Sequence, residues 1–229
     1  MFFPQRITKI KESDSVLEIG PGADPHPRSN ILLELEYENE EDYARQFGHD
    51  RKLETEKKVV FYDGKKFPFK DKEFDYVICA HVLEHVEDVE FFLSEIFRVA
   101  KRGYLEYPLA YYEYLYNFDV HLNFVKFDDG ILKYMKKSES HLQEFKPIQD
   151  FLFQSLIKGH SKIIDDLIIY FMEGFEWEKP FAVRHVSTIA DVCHKQIDLP
   201  RVTERPLHTF GPKRLLKELL RSVKLRGKY

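Results

Sequence analysis

The chain has 229 residues, 43% hydrophobic and 32% charged, which suits one α/β domain with additions and excludes a disordered chain. A net charge of −4 argues against a general nucleic-acid binder, and no apolar run reaches the roughly 18 residues of a membrane span. Cys79 and Cys193 are too few and too far apart for a disulfide framework, and no signal peptide is evident at Met1–Arg6. A cytoplasmic location is therefore expected.

In chain order, the first apolar run is Val16-Leu17-Glu18-Ile19, which leads straight into Gly20-Pro21-Gly22. Glycine lacks a Cβ and tolerates positive φ, so such a turn lets backbone approach a ligand at the end of a strand. Further strands are expected at Ile31–Glu36, Val59–Asp63, Phe74–Ala80 and Tyr104–Pro108. Their continuous apolar character fits strands buried on both faces of a parallel sheet. The clearest helix begins after Asp88, a good N-cap, and carries a stripe of Val89, Phe92, Leu93, Ile96, Phe97 and Ala100. Lys101 and Arg102 suit its last turn and Gly103 its stop.

Beyond residue 108 the chain changes character. Tyr111, Tyr112, Tyr114, Tyr116 and Phe118 form an aromatic cluster, read first as packing and second as a substrate wall. His121–Phe127 and Ile131–Lys136 flank Asp128-Asp129-Gly130 as a hairpin. Residues 141–175 read as helical, with Ile163, Ile164, Leu167, Ile168 and Phe171 at helical spacing, and Phe175–Val186 as a strand returning to the sheet. From Arg201 onward nine Lys and Arg face only Glu204 and Glu218, and a short amphipathic helix is expected near Lys213–Lys224.

Three of these stretches carry a resemblance. Val16–Gly22, then Asp63-Gly64-Lys65-Lys66-Phe67-Pro68-Phe69, then Phe74–Val86 with its core Cys79-Ala80-His81-Val82-Leu83-Glu84-His85, are followed in register by the helix ending Phe97–Gly103 and the strand Tyr104–Pro108. The set resembles the class I S-adenosylmethionine-dependent methyltransferases, in particular the branch with small UbiE-like catalytic domains, over about residues 14–108. The resemblance implies a doubly wound, mostly parallel, Rossmann-like sheet and S-adenosyl-L-methionine as cofactor. It implies that Glu18, Gly20, Pro21 and Gly22 border the methionine and ribose, and that Asp63 and Gly64 meet the adenine. It also implies that Ala80 and His81 border the methionine end, and that an acidic residue ending the second strand holds the ribose diol.

One departure is visible. Only eight residues, Ala23–Asn30, separate Gly22 from the second strand, fewer than the ten or so that a crossover helix needs, and two are proline. The first crossover is thus shortened, and the ribose carboxylate is either Glu34 or Glu36, which alternate onto one strand face. His81-Val82-Leu83-Glu84-His85 also spells H-x-x-E-H, a zinc signature. Its place in a strand-to-helix turn makes that the lesser reading, and no metal is expected.

Methyl transfer to a hydroxyl benefits from a general base, and histidine suits neutral pH. His121 is the first candidate and His81 the second. The expected organisation is a cofactor-binding core over residues 1–136 and an α-rich extension over 137–229, part of it packed on the core sheet. The expected activity is methylation, at oxygen in preference to nitrogen, of a small-molecule or glycan-like acceptor. Protein or RNA methylation and a non-catalytic cofactor-binding or assembly domain are the alternatives. The acceptor is the expected partner, with no stable nucleic-acid partner. The basic C-terminal helix is read as a subunit or peripheral membrane contact.

Overall fold

A computed structural model describes residues 1–36 and 53–195. The helix expected near Lys213–Lys224 and the basic tail lie outside the described residues. Nine strands and four α-helices are described, joined by short 3₁₀ turns.

The main sheet is built from β1 (Val16–Ile19), β2 (Ile31–Leu35), β3 (Lys58–Tyr62), β4 (Phe74–Ala80), β5 (Ala100–Pro108) and β8 (Met172–Trp177). Their spatial order is β3-β2-β1-β4-β5-β8. The first five run parallel, and β8 runs antiparallel along β5, from Gly103 opposite Trp177 to Pro108 opposite Met172. The chain moves outward from β1 through β2 to β3, then returns to the other side of β1 as β4. That reversal opens a crevice beyond the carboxyl ends of β1 and β4, where ligands bind in open α/β sheets.

Burial explains the central strands. Every residue of β1 is buried, and Leu32, Leu33, Val77, Ile78 and Cys79 are at most 1% exposed. One face packs on α1 (Val89–Val99) through Val89, Phe92, Leu93, Ile96 and Val99, in a core shared with Leu17, Ile19 and Leu105. The Asp88 carboxylate accepts from the Phe91 amide at 2.9 Å, satisfying an otherwise orphaned donor at the helix start. The opposite face, with Val16, Tyr76, Ile78 and Tyr104, is covered by Ile7 and Ile10 of the N-terminal segment.

The helix end differs from the sequence expectation. Helix α1 stops at Val99, and Ala100 already belongs to β5 and pairs with Phe74, so Lys101, Arg102 and Gly103 are strand residues. Gly103 is needed for close packing: a Cβ there would lie 2.4 Å from the Val77 carbonyl oxygen and 3.1 Å from Trp177. As expected, the first crossover holds no helix; residues 20–30 form turns only.

After β5 come α2 (Ala110–Tyr116), the β6 (Asn123–Asp128) and β7 (Ile131–Lys136) hairpin, α3 (Lys146–Ile157) and α4 (Lys162–Phe171). The hairpin turns on Asp129 and Gly130, both at positive φ, which matches the twist of the paired strands. The expected single helical stretch over 141–175 is two helices, broken near Gly159 at φ +90°. The expected strand over Phe175–Val186 is also two elements. β8 joins the main sheet, whereas β9 (Ala182–His185) pairs parallel with β7 in a second sheet of order β6-β7-β9. The described chain from Met1 to His194 forms one unit. No described helix is long and apolar enough to cross a membrane.

Candidate active site

A cleft of about 990 Å³ opens at the β1–β4 crevice. Gly20, Pro21 and Gly22 form one wall, and both glycines sit at positive φ (+58° and +62°). The Gly20 amide donates to the Leu33 carbonyl at 2.9 Å, so the turn stays tied to β2. A Cβ on Gly20 would come within 2.6 Å of Val82, the residue after His81, so the turn and the end of β4 touch across a gap that only glycine leaves.

The turn is held from behind by Glu18. Its carboxylate accepts from the His26 amide at 2.8 Å and the Ser29 hydroxyl at 2.6 Å. Burial pushes the Glu18 carboxyl up, against the pull of those two bonds. A carboxylate-centred hydrogen-bond set thus stands where a helix is missing, and Glu18 itself lines the cleft.

The two candidate ribose carboxylates separate in space. Strand β2 ends at Leu35; Glu36 is exposed and lies outside the cleft lining. Glu34 is 6% exposed and lines the cleft. Its Oε1 accepts from the Leu35 amide at 2.9 Å, whereas Oε2 is buried with no partner among the described residues. Burial pushes its carboxyl up to about 7.

Asp63 is not brought to the cleft. Its carboxylate accepts from the Lys65 amide at 3.1 Å and faces the Lys65 ammonium at 3.7 Å, on a side chain 63% exposed. Tyr62 and Gly64 on either side line the cleft instead. The sequence motif locates the loop, while the turn closed by Asp63 and Lys65 directs that side chain to solvent.

Ala80 and His81 line the cleft where β4 ends. His81 adopts a left-handed conformation, φ +59°, uncommon for a residue with a Cβ. It is held there by Glu106 of β5: the His81 amide donates to the Glu106 carbonyl, and Nε2 lies 2.8 Å from Glu106 Oε1. Nδ1 faces Glu84 Oε1 at 3.4 Å. Burial pulls the His81 imidazole down, but Glu106 and Glu84 together hold it above its ordinary range. Nε2 is thus bonded to Glu106 and Nδ1 is turned to Glu84.

The opposite wall belongs to segments after β5. His121, Tyr112, Tyr116 and Phe118 line it, and Phe118 stacks on the His121 ring at 4.9 Å. His121 Nδ1 is hydrogen bonded to Glu113 of α2, whose other oxygen is 3.0 Å from Lys137 Nζ. Burial pushes the Glu113 carboxyl up, yet His121 and Lys137 outweigh it and keep the group ionised. The carboxylate accepts, so Nδ1 carries the proton and Nε2 is left as the acceptor nitrogen. The aromatic cluster divides: Tyr112, Tyr116 and Phe118 pack together and line the cleft, whereas Tyr111 and Tyr114 do not line it.

The sequence reading missed Glu106, Glu113 and Lys137. Each is an ordinary charged residue in its own segment, and its partner is remote in the chain. The only local hint was a carboxylate inside an apolar strand, at Glu106.

Residues 30–105 match the family model described as a methyltransferase domain. The match covers 76 of the 229 residues, and the doubly wound, mostly parallel sheet with a glycine turn at its switch point is Rossmann-like. Similar solved structures include the YcgJ protein of Bacillus subtilis, at 23% identity over 44% of this chain and 47% of that one, TM-score 0.33. A Methanosarcina mazei S-adenosylmethionine-dependent methyltransferase is 20% identical over 52% and 69%, TM-score 0.32. A Haloferax volcanii protein solved in complex with the Trm112 methyltransferase activator is 18% identical over 44% and 47%, TM-score 0.32. The chain spans about half the length of the first solved structures it matches. No curated protein sequence matches it.

Proposed function

We propose that this protein is an S-adenosylmethionine-dependent methyltransferase that methylates a hydroxyl of a small-molecule or glycan-like acceptor. The observation that carries the cofactor reading is Glu34: a buried carboxylate oxygen without a partner among the described residues, on the cleft wall beside a glycine turn where a single added methyl group would meet Val82. An unsatisfied buried acceptor costs about 1–3 kcal/mol, which a ribose diol would relieve.

In this reading Glu34 accepts the ribose hydroxyls, Gly20–Gly22 bring backbone against the ligand, and Gly64 and Tyr62 border its base. Glu18 keeps the turn in shape. Ala80 and His81 form the floor near the methionine end, with His81 oriented by Glu106. When bound, S-adenosylmethionine supplies a sulfonium-activated methyl group that passes to an in-line nucleophile, its C–S electron pair staying on sulfur. The chain's own part is to align the acceptor, exclude water and take the proton. His121 does the last: Nε2 accepts the hydroxyl proton, and Glu113 holds the ring and stabilises the imidazolium.

Calorimetry with S-adenosylmethionine and S-adenosylhomocysteine tests the reading. Binding of both ligands, weakened at least tenfold in Glu34→Gln, is expected. A folded chain that binds neither ligand overturns it.

A further inference from the structure

We propose that the cleft holds a divalent first-row metal cation on Glu84, His85 and His121. These residues come from the 3₁₀ turn after β4 and the segment before β6, and one ligand-capable atom from each lies within 4.8 Å of the others. Metal–nitrogen and metal–oxygen bonds of about 2.0–2.2 Å place ligands roughly 3.3 Å apart around a tetrahedral ion. Binding would draw these atoms together by up to about 1.5 Å.

Two features point to a ligand. Glu84 is fully buried, and neither carboxylate oxygen accepts a hydrogen bond among the described residues. No described lysine or arginine forms an ion pair with it; its charged neighbours are His81 and His85. A buried carboxylate that faces only imidazoles, at 3.4 and 3.9 Å, is a ready ligand for a cation.

The two imidazoles are prepared as ligands. His85 Nδ1 lies 3.0 Å from the Val120 carbonyl, which can only accept, so Nδ1 is the protonated nitrogen and Nε2 is free to coordinate. His121 donates through Nδ1 to Glu113, leaving Nε2 free in the same way. A carbonyl or carboxylate on the far nitrogen is what orients a metal-binding histidine. The rings stand edge to face at 4.6 Å. The turn carrying Glu84 and His85 is itself pinned, because Asn123 Nδ2 donates to the Leu83 and Val86 carbonyls at 3.0 and 2.7 Å.

Two imidazoles and a carboxylate, without thiolate, suit zinc, iron(II), cobalt(II) or manganese(II). All three residues line the cleft, so the remaining coordination positions open toward the acceptor. That role rests on the proposed methyl transfer; the cation site does not. With the cation in place His121 is its ligand, and acidification of the acceptor hydroxyl passes to the cation. The H-x-x-E-H pattern is thus used differently from the zinc signature it spells: Glu84 is a ligand and not a base, His121 replaces His81, and His81 bonds Glu106.

Untagged, full-length protein stripped with chelator is titrated with cobalt(II) chloride, read by visible absorption and calorimetry, with circular dichroism on every variant. One cobalt per chain is expected, displaced by zinc, and weakened at least tenfold in Glu84→Gln, His85→Gln and His121→Ala. His141→Ala, an exposed histidine, should bind as the parent does. A folded parent that binds no stoichiometric cobalt, or folded Glu84→Gln and His85→Gln chains that bind as the parent does, overturns the proposal. S-adenosylhomocysteine binding by the stripped protein reads the cofactor site separately.

Discussion

The His121 imidazole turns Nδ1 to the buried Glu113 carboxylate and presents Nε2 to the cleft. Because Glu113 also holds the buried Lys137, one carboxylate supports both the orientation of the histidine and the packing of α2 on the hairpin. In the metal-free protein, where Nε2 is free to act as base, His121→Ala should lower methyl transfer to a hydroxyl acceptor about 10²- to 10⁴-fold, with S-adenosylhomocysteine affinity unchanged. Glu113→Ala leaves Lys137 buried and unpaired, and should also cost roughly 3–5 kcal/mol of stability. Kinetics and denaturant unfolding of the two variants separate the effects.

Glu34 sets a pH dependence of unusual sign. Its carboxyl stands near 7 in the fold against an ordinary 4.5, so between those values the folded chain binds more protons than the unfolded one. Stability should therefore fall as pH rises from about 4.5 to 7, by on the order of 3 kcal/mol from this group. Ligand binding needs the ionised form, so S-adenosylhomocysteine affinity should rise about tenfold from pH 6 to pH 8. Urea unfolding and calorimetry across that range should show both slopes, and Glu34→Gln should flatten them.

Gly20→Ala places a Cβ against Val82 and forces a left-handed residue, at roughly 1–2 kcal/mol for the backbone alone. Cofactor affinity should drop at least tenfold. Val82→Ala added to Gly20→Ala removes the clash but not the φ cost, so the double variant should recover only part of the loss. Full recovery would show that the glycine serves close approach alone.

Arg98 clamps the loop that carries Gly64. It bonds the Phe67 and Phe69 carbonyls at 3.0 and 2.7 Å and both oxygens of the buried Glu95, which also accepts from the Phe67 amide. Arg98→Ala strands Glu95 and should cost about 3 kcal/mol, lowering Tm by roughly 6–12 °C. Arg98→Lys keeps the charge without the planar fork and should fall between. Weakened cofactor binding in the lysine variant would tie the loop's geometry to the site.

The parallel core was readable because buried strands announce themselves as apolar runs, and Val16–Gly22 placed the cleft. Glu34 and Glu36 were indistinguishable, since alternation puts both on one face; the end of β2 at Leu35 separates them. Gly103 misled because a glycine after a helical stripe means a stop in local sequence, while its actual constraint is the Val77 carbonyl and Trp177. Asp63 looked like a ligand contact, but its two-residue turn with Lys65 dominates. The polar partners of His81 and His121 lie 25 and 8 residues away. Only the packing of β5 beside β4, and of α2 beside the hairpin, brings them together.

Glu106 bonds His81 on one side and the Phe2 and Phe3 amides on the other, and Phe2 leans its ring edge on His81 at 5.1 Å. The rim and the floor of the cleft are therefore fastened to the same carboxylate, 104 residues from Phe2 and 25 from His81. Occupancy at the floor should then be felt at Phe2 and Phe3. Amide hydrogen exchange at Phe2 and Phe3 should slow when the cleft fills, making those two positions a reporter of ligand that needs no knowledge of the acceptor.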